Sequence, residues 1–184
     1  YVYLAGFTNS KNAIATTGAH QSTNGGLYYG DAFLVKFNSN GVRQWGTYYG
    51  GESEDDGYSV AIDSMGNIYL AGKTRSTNAI VTEGSHQSTY AGGSVTSEGD
   101  AFLVKFDSNG VRQWGTYYGG NDDDNAKSVA ADGSGNIYLA GNTRSNNAIG
   151  TEGSHQSTFG GGTVMLGEGD AFLVKFDSNG VRQW

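Results

Sequence analysis

The chain has 184 residues, among them 31 Gly, 12 Tyr, no Pro and no Cys, with a net charge of −7. Eleven Lys and Arg against this acidic balance exclude a phosphate-binding surface and attraction to anionic lipid. The lack of Cys removes disulfides, thiolate metal sites and a Cys nucleophile together, and the absence of a strict Gly triplet excludes collagen. Apolar segments such as "AFLVKF" and "NIYLAG" supply surface to bury, yet no apolar run reaches the length of a membrane-spanning helix.

In chain order, "YVYLAG" from Tyr1 reads as a strand, and a long Gly/Ser/Thr-rich connection follows. "DAFLVKF" from Asp31 and "VRQWGTYYG" from Val42 then form a hairpin through a Gly-containing turn. "YSVAID" (58–63) and "NIYLAGKT" (67–74) form another hairpin around "SMG". A second connection of roughly 25 residues leads to "DAFLVKF" at Asp100 and "VRQWGTYYG" at Val111. The same pattern starts again and ends at Trp184. Trp45, Trp114 and Trp184 mark a period of about 69 residues, as do Tyr3, Tyr69 and Tyr138.

In the strand from Asp100, Phe102, Val104 and Phe106 share one face while Ala101, Leu103 and Lys105 share the other. Both faces must be mostly covered, as in stacked sheets. Four antiparallel strands per period therefore predict an all-β fold of β-propeller blades, about three of them in an open, incomplete ring. Blade 1 takes residues 1–50 without its first strand, blade 2 takes 51–119, and blade 3 takes 120–184 with a truncated last strand. About eleven strands result. Three blades are too few to close a ring. The chain thus reads as a window from a longer array, or as a protomer whose open blade a neighbour completes. No signal peptide is visible, which a missing N-terminus would explain.

"DAFLVKFDSNGVRQWGTYYGG", "SVAIDSMGNIYLAGKTRS" and "GSHQSTYAGG" together resemble the bacterial SBBP repeat, named for seven-bladed β-propellers. The resemblance covers nearly the whole chain and implies a secreted or cell-surface propeller without transferable catalytic residues. It departs from the family at His20, His86 and His155, where an aromatic residue is expected in many members.

The alternation of strand direction puts the tight turns on one face and the long and inter-blade loops on the other. Binding is expected on the long-loop face. Glu52, Glu54, Asp55 and Asp56 crowd one inter-blade loop; Asp122, Asp123, Asp124 and Asn125 crowd the next. Such oxygen donors suit calcium, the one cofactor the chain suggests, although the spacing is not an EF-hand and the alternative is a solvated loop. His20, His86 and His155 recur in "HQST": either the imidazoles are ligand contacts, or each His-Gln-Ser-Thr set folds the long loop onto its own blade through hydrogen bonds. Tyr49 and Tyr118 could stack on a ligand such as a sugar ring or pack between blades. Asp31, Asp100 and Asp170 read as loop-pinning residues that accept backbone N–H bonds.

No nucleophile elbow, phosphate loop or His-Glu-x-x-His motif occurs, and near-identical blades lack the asymmetry of a catalytic site. The reading is a non-enzymatic surface or extracellular scaffold for adhesion, assembly or protein binding, and the alternative is a carbohydrate-binding propeller. Its partners are a protein or a glycan at the cell surface, or further copies through self-association, with no nucleic acid and no membrane insertion.

Overall fold

The two-residue alternation of "DAFLVKF" organises the packing, because each copy of this strand must bury two opposite faces. The computed structural model describes residues 1–26, 28–93, 98–161 and 169–184. Its described residues contain no helix and ten strands. They are β1 (Val2–Thr8), β2 (Asp31–Phe37), β3 (Arg43–Tyr49), β4 (Asp55–Ile62), β5 (Ile68–Thr74), β6 (Asp100–Phe106), β7 (Arg112–Tyr118), β8 (Asp124–Ala131), β9 (Ile137–Thr143) and β10 (Asp170–Phe176). Three antiparallel sheets result, ordered β1-β2-β3, β4-β5-β6-β7 and β8-β9-β10. These are incomplete propeller blades around one full blade.

The count differs by one strand from the sequence expectation. Residues 181–184 make a single bridge, Arg182 with Phe176, instead of the ladder that β7 makes with β6. Four residues are too few for it.

The blades stack face to face. Phe102, Val104 and Phe106 of β6 pack against Ala32, Leu34 and Tyr49 of blade 1. On the opposite side, Ala101 and Leu103 pack with Tyr69 and Ala71 against Leu139, Phe172 and Val174 of blade 3. At the inner edge β4 and β8 lie side by side: the Val129 N–H donates to Ser59 Oγ at 3.1 Å, and Lys127 Nζ sits 4.4 Å from the Tyr58 ring centroid.

Turn chemistry follows the residues. Asp107 accepts the N–H groups of Asn109 and Val111 at 2.8 and 3.0 Å, and Gly110 supplies the positive φ of 82° that closes the turn. Asp63 does the same for Met65 and Asn67, and its carboxylate also takes the Tyr69 hydroxyl.

The long connections depart from the picture of projecting loops. The first two run down the outer strand of their own blade and strap it. The Thr16 and Thr82 N–H groups donate to the Gly46 and Gly115 carbonyls, while Tyr48 and Tyr117 donate to Gln21 and Gln87. A bare outer edge would offer unpaired backbone to other strands, and the strap removes it.

Within each strap one Ala takes a left-handed conformation: Ala13, Ala79 and Ala148 have φ of 68°, 65° and 64°. Each carbonyl accepts an Arg guanidinium from the outer strand or its bridge equivalent, Arg43, Arg112 and Arg182. Left-handed backbone costs an Ala about 1 kcal/mol that a Gly avoids. Ala79→Gly, usually a destabilising change, is therefore expected to stabilise by up to about 1 kcal/mol in urea unfolding. A loss of stability would contradict this account of the strap.

Candidate functional site at the blade junctions

On the tight-turn face, each blade grips the turn of the next. Trp45 Nε1 and Lys36 Nζ both donate to the Ser108 carbonyl, at 3.2 and 2.7 Å. Trp114 and Lys105 repeat this on Ser178, at 3.1 and 3.0 Å. The Trp45 ring lies so close over Gly110 that an added methyl group would meet it at 3.0 Å.

The Tyr pairs that end β3 and β7 divide their work. Tyr48 and Tyr117 donate to their own straps, at the Ser10 and Ser76 carbonyls, both at 2.8 Å. Tyr49 and Tyr118 reach the strap of the following blade, at the Ile80 and Ile149 carbonyls, at 2.5 and 2.8 Å. Both rings are buried, which pushes the Tyr118 phenol up to about 12 and the Tyr49 phenol upward as well. These hydroxyls are committed to joining blades.

His20 sits between Tyr49 and Phe106, with ring centroids 6.1 and 5.7 Å away. His86 sits equivalently between Tyr118 and Phe176. Burial, reinforced by Arg112, holds His20 down to about 4; burial and Arg182 lower His86. Both imidazoles are neutral and lie at the solvent-exposed rims of successive junctions. His155 lines a cleft of about 700 Å³ with Tyr118, Leu173, Arg182 and Trp184. The three imidazoles thus belong to separate places.

The acidic loops also disperse their charges. Glu52 accepts the Thr77 N–H and hydroxyl, Glu54 pairs with Arg75, and Asp56 takes the Tyr58 hydroxyl. Asp122 accepts the Asp123 N–H, and Asp123 pairs with Lys73 while accepting from Gly99 and Asn125. Asp55 and Asp124 turn inward instead and are buried. Among the described residues no three His, Asp or Glu side chains converge as a metal site would require.

The Gln of each "HQST" set does the folding of the loop onto its blade that the motif suggested. Gln21 and Gln87 tie each strap to two elements. Gln21 Nε2 donates to Asp31 Oδ2 and to the Thr23 carbonyl, while its Oε1 accepts the Gly50 N–H at 3.0 Å. Gln87 repeats this with Asp100, Thr89 and Gly119, and Gln156 bonds Asp170 and Thr158. The recurrence of Gln inside "HQST" was the available signal. Above the first junction, on the long-loop face, His20, Thr23, Glu52, Asn78 and Arg112 line an open cleft of about 400 Å³.

Residues 44–78 and 113–147 each match the SBBP family, described as a beta-propeller repeat. Each matched stretch runs from an outer strand across a junction into the second strand of the next blade, so the matched unit contains the junction itself. The chain is also 26% identical over 155 residues to the regulatory protein FlaEY of Caulobacter vibrioides. That similarity takes in 83% of this chain, which spans about 15% of the relative's length.

Proposed function

We propose that this chain, which carries two SBBP beta-propeller repeats, is a non-catalytic scaffold that binds a partner protein through its long-loop face. Its setting in this reading is the cell surface or the extracellular space. One observation carries the reading: the repeats differ where a partner would touch them. The strands, turns and straps recur nearly unchanged, but the segment between "HQST" and the next strand does not. It is "NGGLYYG" at 24–30, "YAGGSVTSEG" at 90–99 and "FGGGTVMLGEG" at 159–169.

In the first of these segments Tyr28 and Tyr29 are 90% and 54% exposed, beside a base pinned by Asp31. Exposed Tyr rings on a rigid base are a common form of protein contact, with large area and little side-chain entropy to lose. The description of the relative as a regulatory protein fits a binding role. Most polar groups that recur from repeat to repeat are engaged within and between blades, which supports a structural use over catalysis. The same two rings support a second reading, stacking on a sugar face.

The test is to probe the immobilised chain with a surface-protein array and a glycan array, alongside the variant Tyr28→Ser/Tyr29→Ser. A protein ligand whose affinity falls at least about tenfold in the variant, at unchanged melting temperature, is the expected result. A glycan response with the same loss would replace the protein reading by the second one. Full binding by the variant would remove the long-loop face from both.

A further inference from the structure

Four carboxyls are buried at the junctions, beyond the one oxygen with which Asp31 pins the binding segment. Asp31, Asp55, Asp100 and Asp124 are all fully buried. They come in pairs that span two blades. Asp31 opens β2 and Asp55 opens β4, joined by the Asp55 N–H donating to the Gly30 carbonyl at 2.9 Å. Asp100 and Asp124 repeat this through the Asp124 N–H and the Gly99 carbonyl at 2.7 Å.

Within each pair, both carboxyls crowd over one glycine. A methyl group on Gly50 would lie 2.5 Å from Asp55 Oδ2 and 3.0 Å from Asp31 Oδ1. On Gly119 it would lie 2.7 Å from Asp124 Oδ2 and 2.8 Å from Asp100 Oδ1. Asp55 is saturated by Thr74, Ser76 and the Gly51 N–H. Asp31 Oδ2 and Asp100 Oδ2 are likewise occupied, by Gln21 with Gly25 and by Gln87 with Ala91. Asp31 Oδ1, Asp100 Oδ1 and Asp124 Oδ1 have no donor, though all three are buried at the junctions.

Two carboxylates this close and this dry resist joint ionisation. One proton per pair resolves the repulsion and supplies an orphaned oxygen with hydrogen. A metal ion is the poorer fit, since no third acidic or His ligand converges among the described residues and each carboxyl already accepts N–H or O–H donors.

We propose that each blade junction retains one proton on its carboxyl pair at neutral pH, Asp31 with Asp55 and Asp100 with Asp124. The stacked blades then tighten in mild acid and loosen as both members ionise.

Burial, with the partner carboxylate adding to it, pushes Asp55 and Asp100 up to about 7; burial raises Asp31 and Asp124 too. A folded value above the unfolded one, near 4, means the folded chain binds more protons between about pH 4 and 7. Stability from this source is therefore full below about pH 4 and is lost as pH rises through about 7.

The surrounding titratable groups do not duplicate this signal. Tyr48, Tyr49, Tyr90, Tyr117 and Tyr118 have raised phenols and stay neutral through the window. Lys73 and Arg75 pair with Asp123 and Glu54, and Glu52 is held low through Thr77 despite its own partial burial. His20 and His86 act oppositely, since their lowered values make stability fall as pH drops below about 6.5. Asp132, held at about 2 by the side chain and N–H of Asn136, titrates below the window.

The comparison is between the wild-type chain and Asp31→Asn/Asp100→Asn, melted in chelator from pH 5 to 8.5. Each Asn keeps an acceptor for its Gln and presents an amide N–H₂ where the shared proton would be. The histidine contribution cancels in the difference. The two proteins should melt alike at pH 5, with the variant several degrees higher at pH 8. A difference that stays constant with pH would overturn the proposal. So would a calcium-induced rise at pH 8 in the wild type that the variant lacks. Carbon-13 NMR of the native Asp side chains gives a readout independent of the variants: one carboxyl per pair should remain protonated at pH 6, and four ionised carboxyls at that pH would refute the shared proton.

Discussion

Gly72→Ala is expected to cost about 3 kcal/mol or more and to unfold the middle blade first. The cause lies in the sequence "DDGYS". Tyr58 is an extra residue in β4, so Gly57 faces Gly72 while Ser59 faces Ala71. The resulting bulge swings the Asp56 carbonyl directly over Gly72, where an added methyl group would overlap its oxygen and lie 2.9 Å from the Phe102 ring. Backbone cannot step aside as a flexible side chain does, and the interior has no spare volume. Gly141 stands in the same relation to Asn125 and Phe172. Gly6 occupies the equivalent position in blade 1, where a methyl group would meet the Phe33 ring alone, at 2.9 Å. Gly6→Ala should accordingly cost much less. Chemical denaturation of the two variants measures the contrast, and equal losses would contradict the role assigned to the bulge.

Local features of this fold were legible in the residues. The alternation in "DAFLVKF", the Asp-Ser-Asn-Gly turns and the repeat period lead to antiparallel blades with two buried faces. Placement of the tight turns on one face and the Asp-led strand starts on the other also follows from strand order. What stayed hidden are the partners that polar groups find in the next blade. Lys36 and Trp45 bond a turn in the following blade, and Tyr49 bonds the following strap. In a repeated sequence, a residue's copy in its own blade and the copy in the next blade look identical, so the chain does not say which one it meets.

The long Gly/Ser/Thr-rich segments illustrate the same difficulty. Their composition suggests free loops, while the bonds from Thr16 and Gln21 to the outer strand make them straps. The acidic loops mislead in a different way. Asp55 and Asp56 are neighbours in sequence, yet strand alternation sends one into the junction and the other towards Tyr58. Adjacent carboxylates on a strand do not gather around one ion.

The central claim is that packing between blades, rather than the strands alone, gives these repeats their stability. Leu34, Leu103 and Leu173 occupy the same position of three identical "DAFLVKF" segments. Leu34 and Leu103 are fully buried against the following blade, whereas Leu173 is 57% exposed. The segment is shared, and Leu173 lacks the neighbouring sheet together with the outer strand that pairs Leu103 with Thr116. The most direct measurement is the urea unfolding free energy of Leu103→Ala beside that of Leu173→Ala. The account predicts a loss of about 2–5 kcal/mol for Leu103→Ala and under about 0.5 kcal/mol for Leu173→Ala. Equal losses at the two positions would contradict it.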